Sequence, residues 1–463
     1  MHRPDFKGRK ALVMGLGLHG GGLETARFLI RAGAEVTCTD LRDENHLKQS
    51  IEALSGLDVR FVLGEHRLKD FDEADIIVKN PAVPTDSPWI AGRENIETDI
   101  SLFLKSTDAP ILAVTGTKGK STVVTALHNI LKNHHSGARL GGNITVSPLS
   151  FLEQLKPNDP VILELSSWQL ADLRGLGILR PKVACITNLM CDHQDRYENF
   201  EDYEADKLVL LENLGIDNFA VFPNGADGRK WAENCKAESV LVADGESAAI
   251  GQPTGYRTAS LGEDGRGWLD IDGKAECILP ETLKVPGNVF RQNMLFASVM
   301  ARLWGCDAAA IRKAQEEFVG VSYRMEMFLE AGGIQFYDDT AATTPDAAAA
   351  AVRAMNRPVV LIAGGTDKEL DFTPFESIAS VPKYVVLLEG SATNAIQTIL
   401  KNGHAELSGP YTSMDKAVEA AVRHAEPGDA VVLSPGAASF GMFRHEFERG
   451  DVFKDACRRI TLF

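Results

Sequence analysis

The stretch that most constrains this chain is Ala113-Val-Thr-Gly-Thr-Lys-Gly-Lys-Ser-Thr122. An apolar run, Pro110 to Val114, reads as a buried strand. It breaks at Gly116 and Gly119 and passes into apolar residues at helical spacing, Val123, Val124, Leu127, Ile130 and Leu131. Strand, glycine turn and helix N-terminus make a phosphate cradle, because exposed N–H groups and the positive end of the helix dipole face the anion. Gly116, Thr117, Lys118 and Gly119 form the turn, Lys120 adds a point charge, and Ser121 or Thr122 offers an oxygen to a magnesium ion. The spacing Gly-x-x-Gly-Lys-Ser is shorter than the general phosphate-loop pattern, since Val114 stands where its first glycine belongs. A plain turn before a helix has no need of Lys-Ser-Thr at its mouth. The stretch predicts a nucleotide site.

At 463 residues the chain is long enough for two to four domains, each with its own core. A net charge of −16 argues against nucleic acid as a partner, because phosphate backbones need a basic face. The seven cysteines are scattered without a C-x-x-C pair and read as reduced thiols. No apolar run is long enough to cross a membrane, and the polar start, Met1-His-Arg-Pro-Asp-Phe-Lys-Gly, does not resemble a signal peptide. A cytoplasmic protein without membrane insertion is expected.

Residues 9 to 107 read as a small α/β unit. Gly15, Gly17 and Gly20 follow the strand Ala11 to Met14 at Gly-x-Gly-x-x-Gly spacing, and Asp40 ends the next strand, Glu35 to Asp40. That is a dinucleotide fingerprint, and on its own it leaves NAD and some other phosphate-bearing ligand both open. From Ala109 to about Gly320 comes the nucleotide unit. Leu140 to Asn143 reads as a glycine turn and Pro160 to Ser167 as a buried strand ending in Glu164. Lys182 to Asn188 reads as a further strand, running on towards His193. Ligands sit at the carboxyl ends of parallel strands, so Glu164 is a candidate magnesium ligand and His193 should flank the same loop. Glu204 to Asn213 reads as a helix carrying Lys207, residues 240 to 285 as hairpins, and Asn293 to Trp304 as an apolar closing helix. From about Val321 a third α/β unit begins, with a helix opening at Pro345 and buried strands at Val359 to Ala363, Tyr384 to Leu388 and Ala430 to Ser434.

Taken in order, the motifs resemble the Mur ligases of peptidoglycan synthesis, in particular their glutamate-adding branch. The carriers are Gly116 to Thr122, Gly141-Gly-Asn143, Glu164-Leu-Ser-Ser-Trp-Gln-Leu170 and Thr187 to Tyr197. They continue with Tyr203-Glu-Ala-Asp-Lys207, Tyr323-Arg-Met-Glu326, Ala363 to Lys368, Leu433 to Ser439 and Glu448-Arg-Gly450. The resemblance implies three α/β domains: a Rossmann-like domain over 1–107, a central P-loop ATP-binding parallel sheet over 108–320, and a Rossmann-like domain over 321–463. It implies an ATP-dependent amide ligase joining D-glutamate to UDP-N-acetylmuramoyl-L-alanine through an acyl phosphate, acting as a monomer on small molecules only.

Carried over residue by residue, the resemblance places Leu18, His19, Asp40, Arg42 and Asn80 near the uridine diphosphate. Asn143 and His193 fall near the acyl end, with Ser166 and Gln169 on the same substrate. Lys120, Asn293, Arg324 and Asp339 would hold ATP. Ser121, Glu164 and His193 would serve two magnesium ions, one of them supported by carbamylated Lys207. Thr343, Lys368 and Ser439 would receive glutamate. The sequence departs from the family at Val289 and Phe290, at Ala341 where a lysine is usual, at Tyr323 for a usual His, and at Glu446 for an aromatic. The competing readings are the same reaction with L-glutamate, a dinucleotide-dependent oxidoreductase built on Gly15 to Gly20, and a nucleotide-gated switch. The oxidoreductase leaves Gly116 to Thr122 without a task; the switch leaves Glu164, His193 and Lys207 without one.

Overall fold

The computed structural model describes residues 4–17, 20–190, 197, 199–243, 256–271 and 273–461. They form three α/β domains, each built on its own sheet. In the first, the strands Val59–Leu63, Glu35–Asp40, Lys10–Met14, Ile76–Lys79 and Ile96–Glu97 lie side by side in that order, all parallel. Parallel strands need covered faces, which explains why Ile76–Lys79 is buried throughout. The central sheet has nine strands. Its parallel heart is Phe219–Pro223, Val183–Ile186, Ile111–Thr115, Val161–Glu164 and Arg139–Gly142. Beyond Phe219–Pro223 lie Glu238–Val242 and Arg257–Leu261, still parallel, and then the antiparallel strands Gly267–Ile271 and Lys274–Leu279.

Two expectations shift here. Leu140 to Asn143 is not a free glycine turn: Arg139–Gly142 is the edge strand of the central sheet, paired with Val161–Glu164. Gly142 is required there, since it holds φ +99 and a Cβ would stand 2.2 Å from the Glu164 carbonyl oxygen. The helix carrying Lys207 is Phe200–Leu208, capped by the Asn199 side chain, and a 3₁₀ turn over Val209–Leu211 replaces its expected second half.

The chain divides into two compact units, residues 1–281 with 293–314 and residues 282–292 with 315–463. The first two sheets share the first unit because their cores are continuous. Helix Asp99–Ser106, with a Thr98–Ser101 capping box, packs Phe103 edge-on against Phe151 at 5.9 Å. The same junction carries a buried ion pair, Lys79 Nζ to Asp172 Oδ2 at 2.7 Å, with side chains 2% and 5% exposed. Removing one partner of a buried pair strands the other charge, so Asp172→Ala should cost about 3–5 kcal/mol. Chemical denaturation checks this, and the double change Lys79→Met with Asp172→Leu should recover most of the loss.

The second unit carries the strands Glu326–Ala331, Ile334–Asp338, Ala430–Leu433, Val359–Ala363, Pro382–Leu388 and Glu406–Tyr411, all parallel except the first. Helix Pro345–Ala354 starts on its proline, as the sequence predicts. Among the described residues no helix is long and apolar enough to cross a membrane.

Candidate active site

Strand Ile111–Thr115 is wholly buried and delivers the chain into the phosphate loop; helix Lys120–His134 leaves it, burying Val123, Val124, Leu127, Ile130 and Leu131. Gly119 gives this helix no side-chain cap, and the positive end of its dipole faces the loop, where an anion is favoured. Gly116 is obligatory: at φ +142, a Cβ would lie 2.0 Å from Thr187 Oγ1. A second loop clamps the first. Thr117 N–H donates to the Asn188 carbonyl (3.0 Å), Lys118 N–H to Asn188 Oδ1 (2.9 Å), and Thr187 Oγ1 to the Lys118 carbonyl (2.6 Å). Lys120 Nζ donates to the Gly116 and Thr117 carbonyls, both at 2.9 Å. Ser121 and Thr122 are half-buried on the first turn, and Asn293 stands beside Gly119.

Lys207 reaches the same loop from helix Phe200–Leu208. Its Nζ is buried, donates to the Gly116 carbonyl at 2.9 Å and lies 4.7 Å from the Tyr203 ring. Tyr203 Oη shares a hydrogen bond with Thr117 Oγ1 at 3.0 Å. Two lysine side chains thus converge on one loop carbonyl, that of Gly116.

Glu164 ends the strand paired with Ile111–Thr115, level with Val114. It is 2% exposed; Oε1 accepts from Asn143 Nδ2 at 3.1 Å, and Oε2 is buried with no hydrogen-bond partner among the described residues. A buried carboxylate oxygen left open beside a phosphate cradle fits a hard divalent cation. Among the described residues no group of three His, Cys, Asp or Glu gathers around a metal.

A cleft of about 380 Å³ opens over this loop, entirely within the first unit. It gathers Asn80 from the first sheet with Lys120, Asn143, Ser166, Gln169 and Lys207 from the central one. Ser166 and Gln169 form the capping box of helix Ser167–Ala171, which fixes both side chains at the rim. Asp99 also lines the cleft and accepts from Ser147 Oγ at 3.1 Å; burial pushes its carboxyl above the usual range. Sequence reasoning missed Asp99, Ser147 and Asn188. Asn188 had a signal, its place at the carboxyl end of a buried strand; Asp99 and Ser147 meet only through the fold.

Asp40 stands at the end of its strand, accepting from Gly17 N–H (3.2 Å) and Arg42 N–H (3.0 Å), and the Arg42 side chain is exposed. Neither lines the cleft. Leu18, His19 and His193 lie outside the described residues.

The remaining candidates belong to the second unit. Asp339, Ser439 and Lys368 follow three neighbouring strands, Ile334–Asp338, Ala430–Leu433 and Val359–Ala363, so all lie at the carboxyl end of that sheet. Asp339 is buried, accepting from Ser434 Oγ (2.6 Å) and Met325 N–H (3.1 Å), and burial pushes its carboxyl up to about 7. Arg324 is exposed between Tyr323 and Met325, both left-handed at φ 66 and φ 47. Lys368 is exposed with its Nζ 5.0 Å from the Phe440 ring, Ser439 is buried and Thr343 half-buried.

Three family models match the chain in order. They are a Mur ligase MurD-like N-terminal domain over residues 9–101, a Mur ligase middle domain over 114–301, and a Mur ligase glutamate ligase domain over 323–436. Among curated proteins, the UDP-N-acetylmuramoylalanine--D-glutamate ligase of Treponema pallidum is 38% identical, over 99% of both chains. The protein of the same name from a Roseiflexus species is 40% identical over 99% of this chain and 100% of its own. Among solved structures, the UDP-N-acetylmuramate-alanine ligase of Thermotoga maritima superposes with a TM-score of 0.59 at 21% identity, covering 98% of both chains. A MurF ligase from the same organism, in complex with ADP, gives 0.56 at 15% identity over 98% of this chain and 95% of its own. These two likenesses show the fold. The matched domains in sequence, and relatives this similar along their whole length, place the chain in the Mur ligase family.

Proposed function

We propose that this chain is an ATP-dependent amide ligase that adds D-glutamate to UDP-N-acetylmuramoyl-L-alanine in peptidoglycan precursor synthesis. The observation that carries the reading is the cleft in which Asn80 of the first domain meets Lys120, Asn143 and Lys207 of the second. The relatives bearing that activity in their names support it. The working domains are 1–107 for the nucleotide-sugar, 108–320 for ATP and 321–463 for the amino acid, in a cytoplasmic monomer.

The γ-phosphoryl of ATP passes to the substrate carboxylate, giving ADP and an acyl phosphate. The glutamate amine then attacks the carbonyl carbon, the C–O bond to phosphate breaks with its electron pair, and the amine proton leaves. The protein positions the reactants and stabilises charge. Lys120 and the N-terminus of its helix hold the β- and γ-phosphates. Ser121, Glu164 and His193 would hold magnesium, which supplies Lewis-acid neutralisation of phosphate charge. Asn143 orients Glu164 and faces the acyl end; Asn293, Arg324 and Asp339 serve ATP; Thr343, Lys368 and Ser439 take glutamate.

In this reading Lys207 acts as its carbamate, an oxygen anion beside a second magnesium ion, where an ammonium would repel the metal. Its burial next to the loop motivates this. Lys207→Ala should be inactive and regain part of its turnover in short carboxylates such as acetate or formate. No rescue at any carboxylate concentration counts against the carbamate.

The first domain would bind uridine diphosphate through Leu18, His19, Asp40, Arg42 and Asn80, not NAD. Titrating the whole protein with UDP-N-acetylmuramoyl-L-alanine and with NADH tests this. Saturable binding of the UDP-sugar alone is expected; tight NADH binding with no response to the UDP-sugar would favour an oxidoreductase.

A further inference from the structure

The loops that carry Thr343 and Ser439 are fastened by one side chain, and the loop that carries Lys368 is bonded to the second of them. Arg449 is 1% exposed; its Nε donates to Thr340 Oγ1 (2.9 Å), Nη2 to the Thr340 carbonyl (3.0 Å) and Nη1 to the Ala437 carbonyl (3.1 Å). Thr340 precedes Thr343 on one loop, and Ala437 precedes Ser439 on the next. The third loop leaves no room beside Arg449, since a Cβ on Gly365 would lie 3.4 Å from Arg449 Nη1. The loops also bond to one another: Gly436 N–H donates to the Ala342 carbonyl (2.9 Å), and Thr366 and Ala438 exchange hydrogen bonds at 2.9 and 3.0 Å. Arg449 thus bonds to two of the loops, and the third is tied to the second through Thr366 and Ala438.

Its electrostatics are unusual for a structural clamp. All three acceptors are neutral oxygens, and among the described residues no carboxylate stands within ion-pair distance of the guanidinium. It also sits in the first turn of helix Glu446–Thr461, the end at which the helix dipole disfavours a cation. Burial lowers its pKa to about 10, a shift that leaves it charged at neutral pH. Glu446 and Asp338 act on it only at longer range. A buried cation paired only with neutral groups is costly, and an anion held above it offsets part of that cost.

We propose that Arg449 is a positioning residue for the amino-acid site, setting the spacing of Thr343, Ser439 and Lys368 and lending its unpaired positive charge to a dicarboxylate bound over them. This rests on the assignment of those three residues to glutamate. It accounts for selectivity toward a doubly charged amino acid with one exposed lysine in the pocket, Lys368.

The test is steady-state kinetics of the full-length enzyme with each substrate varied in turn. Arg449→Met should raise KM for glutamate about tenfold to a hundredfold, the scale of a small misplacement of binding groups, while KM for ATP and for the UDP-sugar hold steady. Arg449→Lys, which keeps the charge but not the three-way fork, should fall between. Should Arg449→Met fail to fold, Thr340→Val removes the Nε acceptor at nearly constant shape and should move the same KM in the same direction. Lys368→Ala runs alongside. If Lys368→Ala raises KM for glutamate and folded Arg449 and Thr340 variants do not, the positioning role is overturned alone. If none of them moves it, glutamate is held elsewhere and the site assignment falls with the inference.

Discussion

Lys120→Ala is expected to abolish ligation while leaving the fold and UDP-substrate binding intact. The Lys120 ammonium donates to the Gly116 and Thr117 carbonyls in the phosphate loop and lies half-buried on the wall of the cleft. In the proposed mechanism its task is the charge that builds up as the γ-phosphoryl moves. Removing a single preorganised donor of that kind costs roughly 10²–10³ in rate, and a full positive charge on phosphate should sit at or above the upper end. Pre-steady-state phosphate release with saturating substrates reads the loss directly. Calorimetric binding of the UDP-sugar should match the parent. Activity kept within about tenfold, roughly 1.4 kcal/mol of barrier, would show that the loop does not act on the transferred phosphoryl.

Glu164→Gln should separate stability from function. The carboxylate is 2% exposed, and one of its oxygens is buried without a partner among the described residues. With no metal bound, that charge is a burden on the fold, and a neutral isostere removes it while the remaining oxygen still accepts from Asn143 Nδ2. In EDTA the variant should therefore melt at or above the parent's temperature. Adding magnesium with ATP should raise the melting temperature of the parent and much less that of the variant, because ligands stabilise only the state that binds them. Turnover should fall about a thousandfold or more, on the scale of a lost charge-stabilising group. A variant that melts well below the parent in EDTA, yet still turns over, would make Glu164 a structural acid.

The phosphate loop was legible because its meaning is local. A buried strand, two glycines, a lysine and an amphipathic helix occupy consecutive residues, and the structure places Gly116 and Gly119 where side chains would collide. The parallel strands of the second unit were equally legible from short apolar runs, and with them the grouping of Asp339, Ser439 and Lys368 at one sheet edge. Features made by distant contacts were not. Lys79 and Asp172 are each unremarkable in sequence and meet only because the first two domains share a core. Arg139–Gly142 looked like a turn because two glycines hide an edge strand that pairs on one side only. Helix Glu44–Glu52 went unread because its apolar face is thin, with Leu47 and Ser50 its buried positions, although Asp43 caps it in the ordinary way. Arg449 carried no signal beyond its motif; an arginine in a helix reads as surface until its burial is seen.

Two departures from the family pattern, Ala341 and Glu446, lie on or beside the loop that Arg449 fastens. Ala341 follows Thr340 on the loop that Arg449 fastens, and brings no charge to it. Glu446 is half-buried at the start of the last helix, and its carbonyl accepts from Thr340 Oγ1 at 2.9 Å, which ties its backbone to the same loop. Enantiomers presented to one pocket are separated only by a difference in affinity, which assays with both forms of glutamate read.

The most direct measurement is phosphate release from ATP by the full-length protein, with amide product followed by mass, in the presence of magnesium and every combination of UDP-N-acetylmuramoyl-L-alanine with D- or L-glutamate. Phosphate and a new amide should appear in equal amounts only when the UDP-sugar and D-glutamate are both present. Phosphate release that ignores the amino acid, or faster amide formation with L-glutamate, would contradict the reading.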